Sequence, residues 1–367
     1  MFTVNYEGIK NLIVGATILG TGGGGDPEAG MHILKDIFDS GKKLQICSLD
    51  ELDPESYVVT PDLVGSIPAP GAKSQENKEM TVEKMVKAYS FLEESIEEKI
   101  VGVVAPEIGG GNTANAFRLG ALLGLTLVDC DHCGRSVPEI TQSSYHINGC
   151  SVTPSVIATA NGDLLLIKEY SSIENYEEIA RMIAAQTGGI VFVIDSPIRV
   201  AIASRVAVIG SISKTIGLGK AVEKAKNERI PTPQVVAEKL GGYVIFKGKI
   251  AKYDLREEKG FLSGDIFIEG LSSHRGTKLR IWVKNENIIA WLDGKPAVLP
   301  PDLIILLGEN GYGVVNSDIA QGMKVDVVAA PAQEILRTPR GLEVIGPRHF
   351  GFDLDYVPIE KLFTSNI

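Results

Sequence analysis

Residues 100–139 read IVGVVAPEIGGGNTANAFRLGALLGLTLVDCDHCGRSVPE. The β-branched run Ile100–Ala105 reads as a buried strand. The glycine-rich loop Pro106–Asn112 follows it, then a helix over Thr113–Leu123 and a second strand over Leu125–Val128. Strand, loop, helix and strand in that order imply parallel pairing and an α/β domain. Both loops then open at the carboxyl edge of one sheet, where open α/β folds take their ligands.

Working outward, helical spacing recurs at Ile9, Leu12, Ile13, Ala16 and Leu19, again over 32–38, and on one face of Met80–Glu98. A different texture starts near residue 235. Short strands, including Tyr243–Lys247, Lys278–Lys284, Asn287–Leu292 and Leu303–Leu307, alternate with turns such as Asn285-Glu286-Asn287 and Asp293-Gly294-Lys295. The expected organisation is an α/β domain with a parallel sheet over 1–170 and a second domain over 171–367. The second is β-rich from about 235, barrel- or sandwich-like, with a C-terminal segment that returns to the first.

Composition narrows the function classes. The 367 residues carry a net charge of −10, with 44% hydrophobic and 22% charged side chains. That is too apolar for disorder. The acidic balance argues against nucleic acid and against docking on an anionic membrane. Four cysteines do not make a disulfide scaffold. No leader pattern and no membrane-length apolar run is visible, so a cytoplasmic protein is expected. The 40 glycines are about 11% of the chain, against an average of roughly 7%.

Those glycines mark candidate sites. Gly22-Gly23-Gly24-Gly25 lies between two helices, followed by Asp26 as a helix cap and Pro27 in the first turn. An ordinary turn needs one or two glycines, and four leave backbone N–H groups open to an anion. The loop has neither the lysine of a phosphate loop nor the preceding strand of a dinucleotide site, so no nucleotide cofactor is expected. After Ile100–Ala105, Glu107 stands at a strand tip beside Gly109, Gly110, Gly111 and Asn112.

The densest cluster is Asp129-Cys130-Asp131-His132-Cys133-Gly134-Arg135-Ser136-Val137-Pro138-Glu139. Asp129 and Asp131 leave the strand in different directions and are candidates to reach a substrate proton or a metal. Arg135 offers a fork for a carboxylate, and Glu139 a general acid or base. Cys130 and Cys133, with His146 and Cys150, have the spacing of a zinc site, and Asp131 and His132 are alternative ligands to a divalent ion, with zinc expected. Ser211-x-x-Lys214 lacks the companion motifs of serine acylases and reads better as a helix N-terminus near a ligand oxygen. Arg348-His349-Phe350-Gly351 adds a further candidate acid or base, His349, and a binding residue, Arg348.

Taken in order, Thr21 to Pro27, Glu107 with Gly109, Gly110 and Asn112, then Asp129-x-Asp131-x-x-Gly134-Arg135-x-x-Pro138-Glu139, and Arg348 to Gly351 resemble the S-methyl-thiohydantoin desulfurase family (DUF917) over nearly the whole chain. Cys130, Cys133 and Cys150 fall outside that resemblance. It implies a two-domain protein acting on a five-membered cyclic ureide or its thio analogue, and association with hydantoinase- or oxoprolinase-type enzymes. Hydrolytic desulfurisation is the expected reaction, with a non-catalytic binding subunit as the alternative. A homo-oligomer is expected.

Overall fold

Strand Ile100–Ala105 lies inside a mixed sheet. The computed structural model describes residues 1–65, 69–71 and 80–365. In chain order the first sheet contains β1 (Phe2–Thr3), β2 (Gln45–Cys47), β3 (Tyr57–Gly65), β4 (Ile100–Ala105), β5 (Thr126–Asp131), β6 (Ser155–Thr159), β7 (Leu164–Ile167), β8 (Ile190–Arg199) and β9 (Val208–Ile209). Its spatial order is β1-β2-β5-β4-β3-β8-β6-β7, with β9 on the end of β5. The centre, β2-β5-β4-β3, is parallel. The flanks are antiparallel. The parallel sheet expected from the βαβ pattern is therefore its core alone: β3 is followed in space by β8, which runs back along it.

Helix α1 (Tyr6–Leu19) and α2 (Pro27–Asp39) precede this core, α3 (Val82–Ile96) enters it, and α4 (Asn112–Leu123) joins β4 to β5. The apolar positions of α1 are buried at Ile9, Leu12, Ala16 and Ile18. Asp26 caps α2, accepting from the backbone N–H of Glu28 at 2.8 Å, with Pro27 in the first turn.

The second sheet is antiparallel, with seven strands: β10 (Tyr243–Glu258), β11 (Phe261–Gly270), β12 (Lys278–Lys284), β13 (Glu286–Leu292), β14 (Lys295–Val298), β15 (Leu303–Gly308) and β16 (Lys324–Ala330). Their order is β14-β13-β12-β11-β10-β16-β15, curled into a half-barrel. Its inner face is closed by Phe246, Ile250, Leu262, Ile266, Ile281 and Leu306. The turns at Asn285 and at Asp293-Gly294 sit at positive φ, as the hairpin reading requires.

The first sheet draws strands from beyond residue 170, and the β-rich part expected from about residue 235 starts at Tyr243. Strands β8 and β9 pair into the first sheet, and helix Ile173–Gln186 packs on its β3 and β8. The C-terminal segment does return: His349 reaches Glu139 of the first domain. No helix among the described residues is long and apolar enough to cross a membrane.

Candidate functional site

The glycine loops meet. A Cβ on Gly24, whose φ is +79°, would lie 2.5 Å from the Gly109 Cα, and one on Gly109 would lie 2.3 Å from the Gly24 Cα. Backbone rests on backbone there, and no side chain fits between. The Gly24 carbonyl accepts from the N–H groups of Gly111 and Asn112 at 3.0 and 3.1 Å. Gly23 lies against another partner: a Cβ at this position would come 1.9 Å from Oε1 of Glu286. The loop thus brings the first domain against the start of β13.

These contacts also divide the amides expected to face an anion. Gly23 N–H is taken by the Gly20 carbonyl and Gly109 N–H by the Thr113 hydroxyl. Gly109 and Gly110 do not line the cavity; Gly22 to Gly25 and Gly111 do. The first two are packing glycines.

The cavity has a volume of about 670 Å³. Glu107 lines it at the carboxyl end of β4. Its Oε1 accepts from Asn112 Nδ2 at 2.7 Å, and its Oε2 from the Val137 N–H at 2.8 Å. The Ser136 hydroxyl is 2.7 Å from Glu107 Oε1 and 2.9 Å from Glu286 Oε1. One hydroxyl carries one proton and can serve only one of the two acceptors. Two ionised carboxylates would leave lone pairs facing each other in a buried site, so the pair keeps one extra proton between them. Burial raises both groups, and the neighbouring Glu107 charge raises Glu286 further, to about 8. Glu107 has two donors besides Ser136 and is the ionised member. Glu286 carries the proton, and its Oε2 is buried with no protein partner among the described residues.

The 129–139 cluster divides. Strand β5 runs three residues past Val128, so Asp129 and Asp131 share one face of it, two residues apart. They do not leave in different directions, as the sequence suggested. That face meets helix Ser211–Asn227. Asp129 accepts from the Ser213 N–H at 2.8 Å and from its hydroxyl at 2.5 Å, so the N-terminus expected to meet a ligand is capped by the protein. Asp129→Ala is expected to cost about 1 kcal/mol of stability, read as a lowered denaturation midpoint; an unchanged midpoint removes the cap argument.

Asp131 is fully buried and accepts from the N–H groups of Cys133 and Gly134 at 2.8 and 2.7 Å. Burial pushes it up to about 7. It holds the turn that carries His132 and Cys133 to the cavity wall, which it does not itself line.

Arg135 is also turned inward. Nε donates to the Ser136 carbonyl at 2.8 Å, Nη1 to the Pro301 carbonyl at 2.7 Å and Nη2 to the Thr21 hydroxyl at 2.8 Å. With 2% of its surface exposed and no place on the cavity wall, it is out of reach of a substrate carboxylate. Arg348 is exposed and paired with Asp353 and Asp355, away from the cavity. Glu139 does line the cavity. Burial raises it, but the hydrogen bonds from His349, at 2.8 Å, and from Lys284 more than offset this and hold it at about 2. It is therefore an ion-pair partner bridging the two domains and cannot store a proton near neutral pH.

The zinc spacing is not realised. Among the described residues no three His, Cys, Asp or Glu side chains gather as metal ligands. Cys130 packs with Val104, Val128 and Tyr145. The Cys133 sulfur faces the Pro106 and Gln142 carbonyls at 3.9 and 3.8 Å. Burial pushes both thiols far up, which disfavours the thiolates zinc needs. His146 and Cys150 are only partly buried, on and after the short helix Ser144–Ile147. His132 stacks on Tyr145 at 3.9 Å, sits 3.0 Å from the Thr60 hydroxyl, and burial lowers its pKa to about 3, so it stays neutral.

Three cavity residues escaped the sequence reading: Glu286, Asp62 and Asp195. Asn285-Glu286-Asn287 reads as a turn by sequence, yet Glu286 opens the apolar strand Glu286–Leu292. Asp62 and Asp195 interrupt the apolar strands β3 and β8. A carboxyl inside a strand otherwise fit for burial is the signal that could have found Asp62 and Asp195; Glu286, at the first position of its strand, carries no such mark.

Comparison with known proteins agrees with this architecture. The family description "S-Me-THD-like, N-terminal domain" matches residues 7–169, and "S-Me-THD-like, C-terminal domain" matches 171–359. No curated protein matches the chain. An X-ray crystal structure of a protein from Chromobacterium violaceum superposes with a TM-score of 0.80 over 98% of this chain and 100% of its own, at 22% identity. That likeness shows the fold. With both domains matched in order over nearly its whole length, the chain belongs to the S-Me-THD-like family.

Proposed function

We propose that the protein hydrolyses an S-methylated thiohydantoin-like ring at the cavity between the glycine loops and β13, yielding the hydantoin and methanethiol. The observation that carries this reading is the pair of buried carboxyls, Glu107 and Glu286, bridged by one hydroxyl at the cavity wall. Family membership supports the ring class.

The ring carbon that bears sulfur is flanked by nitrogen and is a poor electrophile. It needs a base for water, an acid for the leaving group, and donors for the developing anion. Glu107, the ionised member, takes one proton from water as its oxygen bonds to that carbon. The electron pair of the C=N bond moves to the ring nitrogen, near the amides of Gly22, Gly24 and Gly25, which make no protein hydrogen bond among the described residues. The carbon–sulfur bond then breaks, Glu286 gives its proton to the departing sulfur, and the remaining hydroxyl proton passes to the ring nitrogen as the carbonyl forms. Ser136 returns the proton from Glu107 to Glu286. The balance is one water consumed and one thiol released. No step is routed through a metal, since the described donors do not assemble a site for one.

The test incubates the purified chain with an S-methylthiohydantoin and follows free thiol and ring absorbance. Thiol release stoichiometric with hydantoin is the expected result. Ring binding without turnover, together with co-purification of a hydantoinase-type enzyme, overturns the catalytic reading in favour of a binding subunit.

A further inference from the structure

The cavity is lined by nine carboxyl side chains and, among the described residues, one arginine and no lysine. Most of that charge is already partnered or exposed to solvent. Arg181 pairs with Glu177 at 2.7 Å, donates to the Pro138 and Gly260 carbonyls, and lies over the Phe261 ring at 3.8 Å. Its charge is spent. Glu139 is neutralised by Lys284 and also accepts a hydrogen bond from His349. Glu107 and Glu286 share a proton. What is left inside is Asp62 and Asp195.

These two come from neighbouring antiparallel strands. Thr60 pairs with Asp195, and Asp62 with Val193. Side chains alternate along a strand, so Thr60, Asp62, Val193 and Asp195 stand on one face, with the two carboxyls diagonal to each other. All four line the cavity. Asp195 is 4% exposed and its Oδ2 accepts from the Tyr176 hydroxyl at 3.3 Å. Asp62 accepts from its neighbour, the Leu63 N–H, at 2.7 Å. Neither has a cation in hydrogen-bond contact among the described residues, and burial raises both, each also feeling nearby acidic groups or hydrogen bonds. Glu286 Oε2, buried without a partner and part of the same wall, independently marks the cavity as built to meet a polar atom of a ligand.

We infer that this cavity selects a ring whose substituent is cationic, an ammonium or guanidinium seated at Asp62 and Asp195, and rejects one whose substituent carries a free carboxylate. The inference names the substrate subclass for the reading above and rests on it for the ring. Arg135, the group best suited to a substrate carboxylate by sequence, is turned away from the cavity. The one arginine on the wall, Arg181, is already paired with Glu177, so no described lining residue offers a free cation to a substrate carboxylate.

The experiment measures binding calorimetrically on the full chain with three hydantoins of matched length bearing aminobutyl, butyl and carboxypropyl groups at C5. A second series presents the same three side chains on acyclic N-acetyl amides. The expected order is cationic, neutral, anionic, with at least a tenfold spread in affinity between the ends. Asp195→Asn and Asp62→Asn each reduce the advantage of the cation over the neutral compound severalfold while leaving the neutral compound bound as before. If the rings fail to bind but the acyclic series keeps the order, the ring class falls and the charge selection stands. Equal or tighter binding of the carboxylates, or no binding by either series, overturns the inference.

Discussion

Arg135→Met is expected to lower the stability of the folded chain by about 3–5 kcal/mol, read as a shift of the urea denaturation midpoint. The guanidinium is 2% exposed and donates to three separate segments: its own loop at Ser136, the Pro301 carbonyl before β15, and the Thr21 hydroxyl at the entrance of the glycine loop. Methionine fills much of the volume and replaces none of the donors. The cost is therefore that of leaving buried acceptors unpaired rather than of a cavity. A second effect accompanies it. The Arg135 charge lowers the pKa of both Glu107 and Glu286, so its removal makes the pair hold its proton to higher pH. Arg135→Lys keeps the charge but not the three-way fork, and is expected to recover the titration more than the stability. A loss under 1 kcal/mol for the methionine variant would show that the three segments are held by other contacts.

Arg135 also illustrates what a sequence withholds. The βαβ core was legible because each part has its own local cause: β-branched residues for β4, glycines and a cap for the loop, and an apolar helical face for α4. That the loops after β4 and β5 leave the same edge followed from parallel topology; the packing of the interhelical Gly22–Gly25 loop on Gly109 did not, because no strand leads into it. The direction of a side chain did not follow. Whether Asp129 and Asp131 face a ligand depends on where β5 ends, and three more residues of strand put both carboxyls under a helix over 80 residues away in sequence. Arg135 and Arg348 look equally able to hold a carboxylate; long-range partners bury the first, while the second stays exposed on its near neighbours Asp353 and Asp355. Glu286 was hidden for a related reason. Its partner Ser136 is 150 residues earlier, and nothing local to Asn285-Glu286-Asn287 marks it as more than a turn. The cysteine spacing misled because zinc needs thiolates that converge, while Cys130 and Cys133 point from a strand and its following turn into different packing.

Glu286→Gln is expected to reduce turnover by about 10²–10⁴-fold, the largest effect on activity at this site. Glutamine keeps the size and can still meet the Ser136 hydroxyl, but it has no proton to give the leaving sulfur. The loss is expected in kcat rather than KM, because the group acts as the bond breaks. The pH profile separates this role from a structural one. An acid raised to about 8 is protonated below that pH, so activity with the wild type falls as pH rises through the range. Activity falls again in acid, where Glu107 takes up a proton and can no longer accept one from water. In Glu286→Gln the alkaline limb disappears from the residual rate while the acid limb, set by Glu107, persists. Stability moves in a known direction as well. A carboxyl whose folded pKa exceeds its unfolded value binds more protons folded, so it contributes stability at low pH that is lost between the unfolded value and about 8. The glutamine variant is insensitive to this term and gains on the wild type as pH rises through that window. A variant with normal kcat and an unchanged alkaline limb would remove Glu286 from the chemistry and leave it as a buried packing residue beside Gly23.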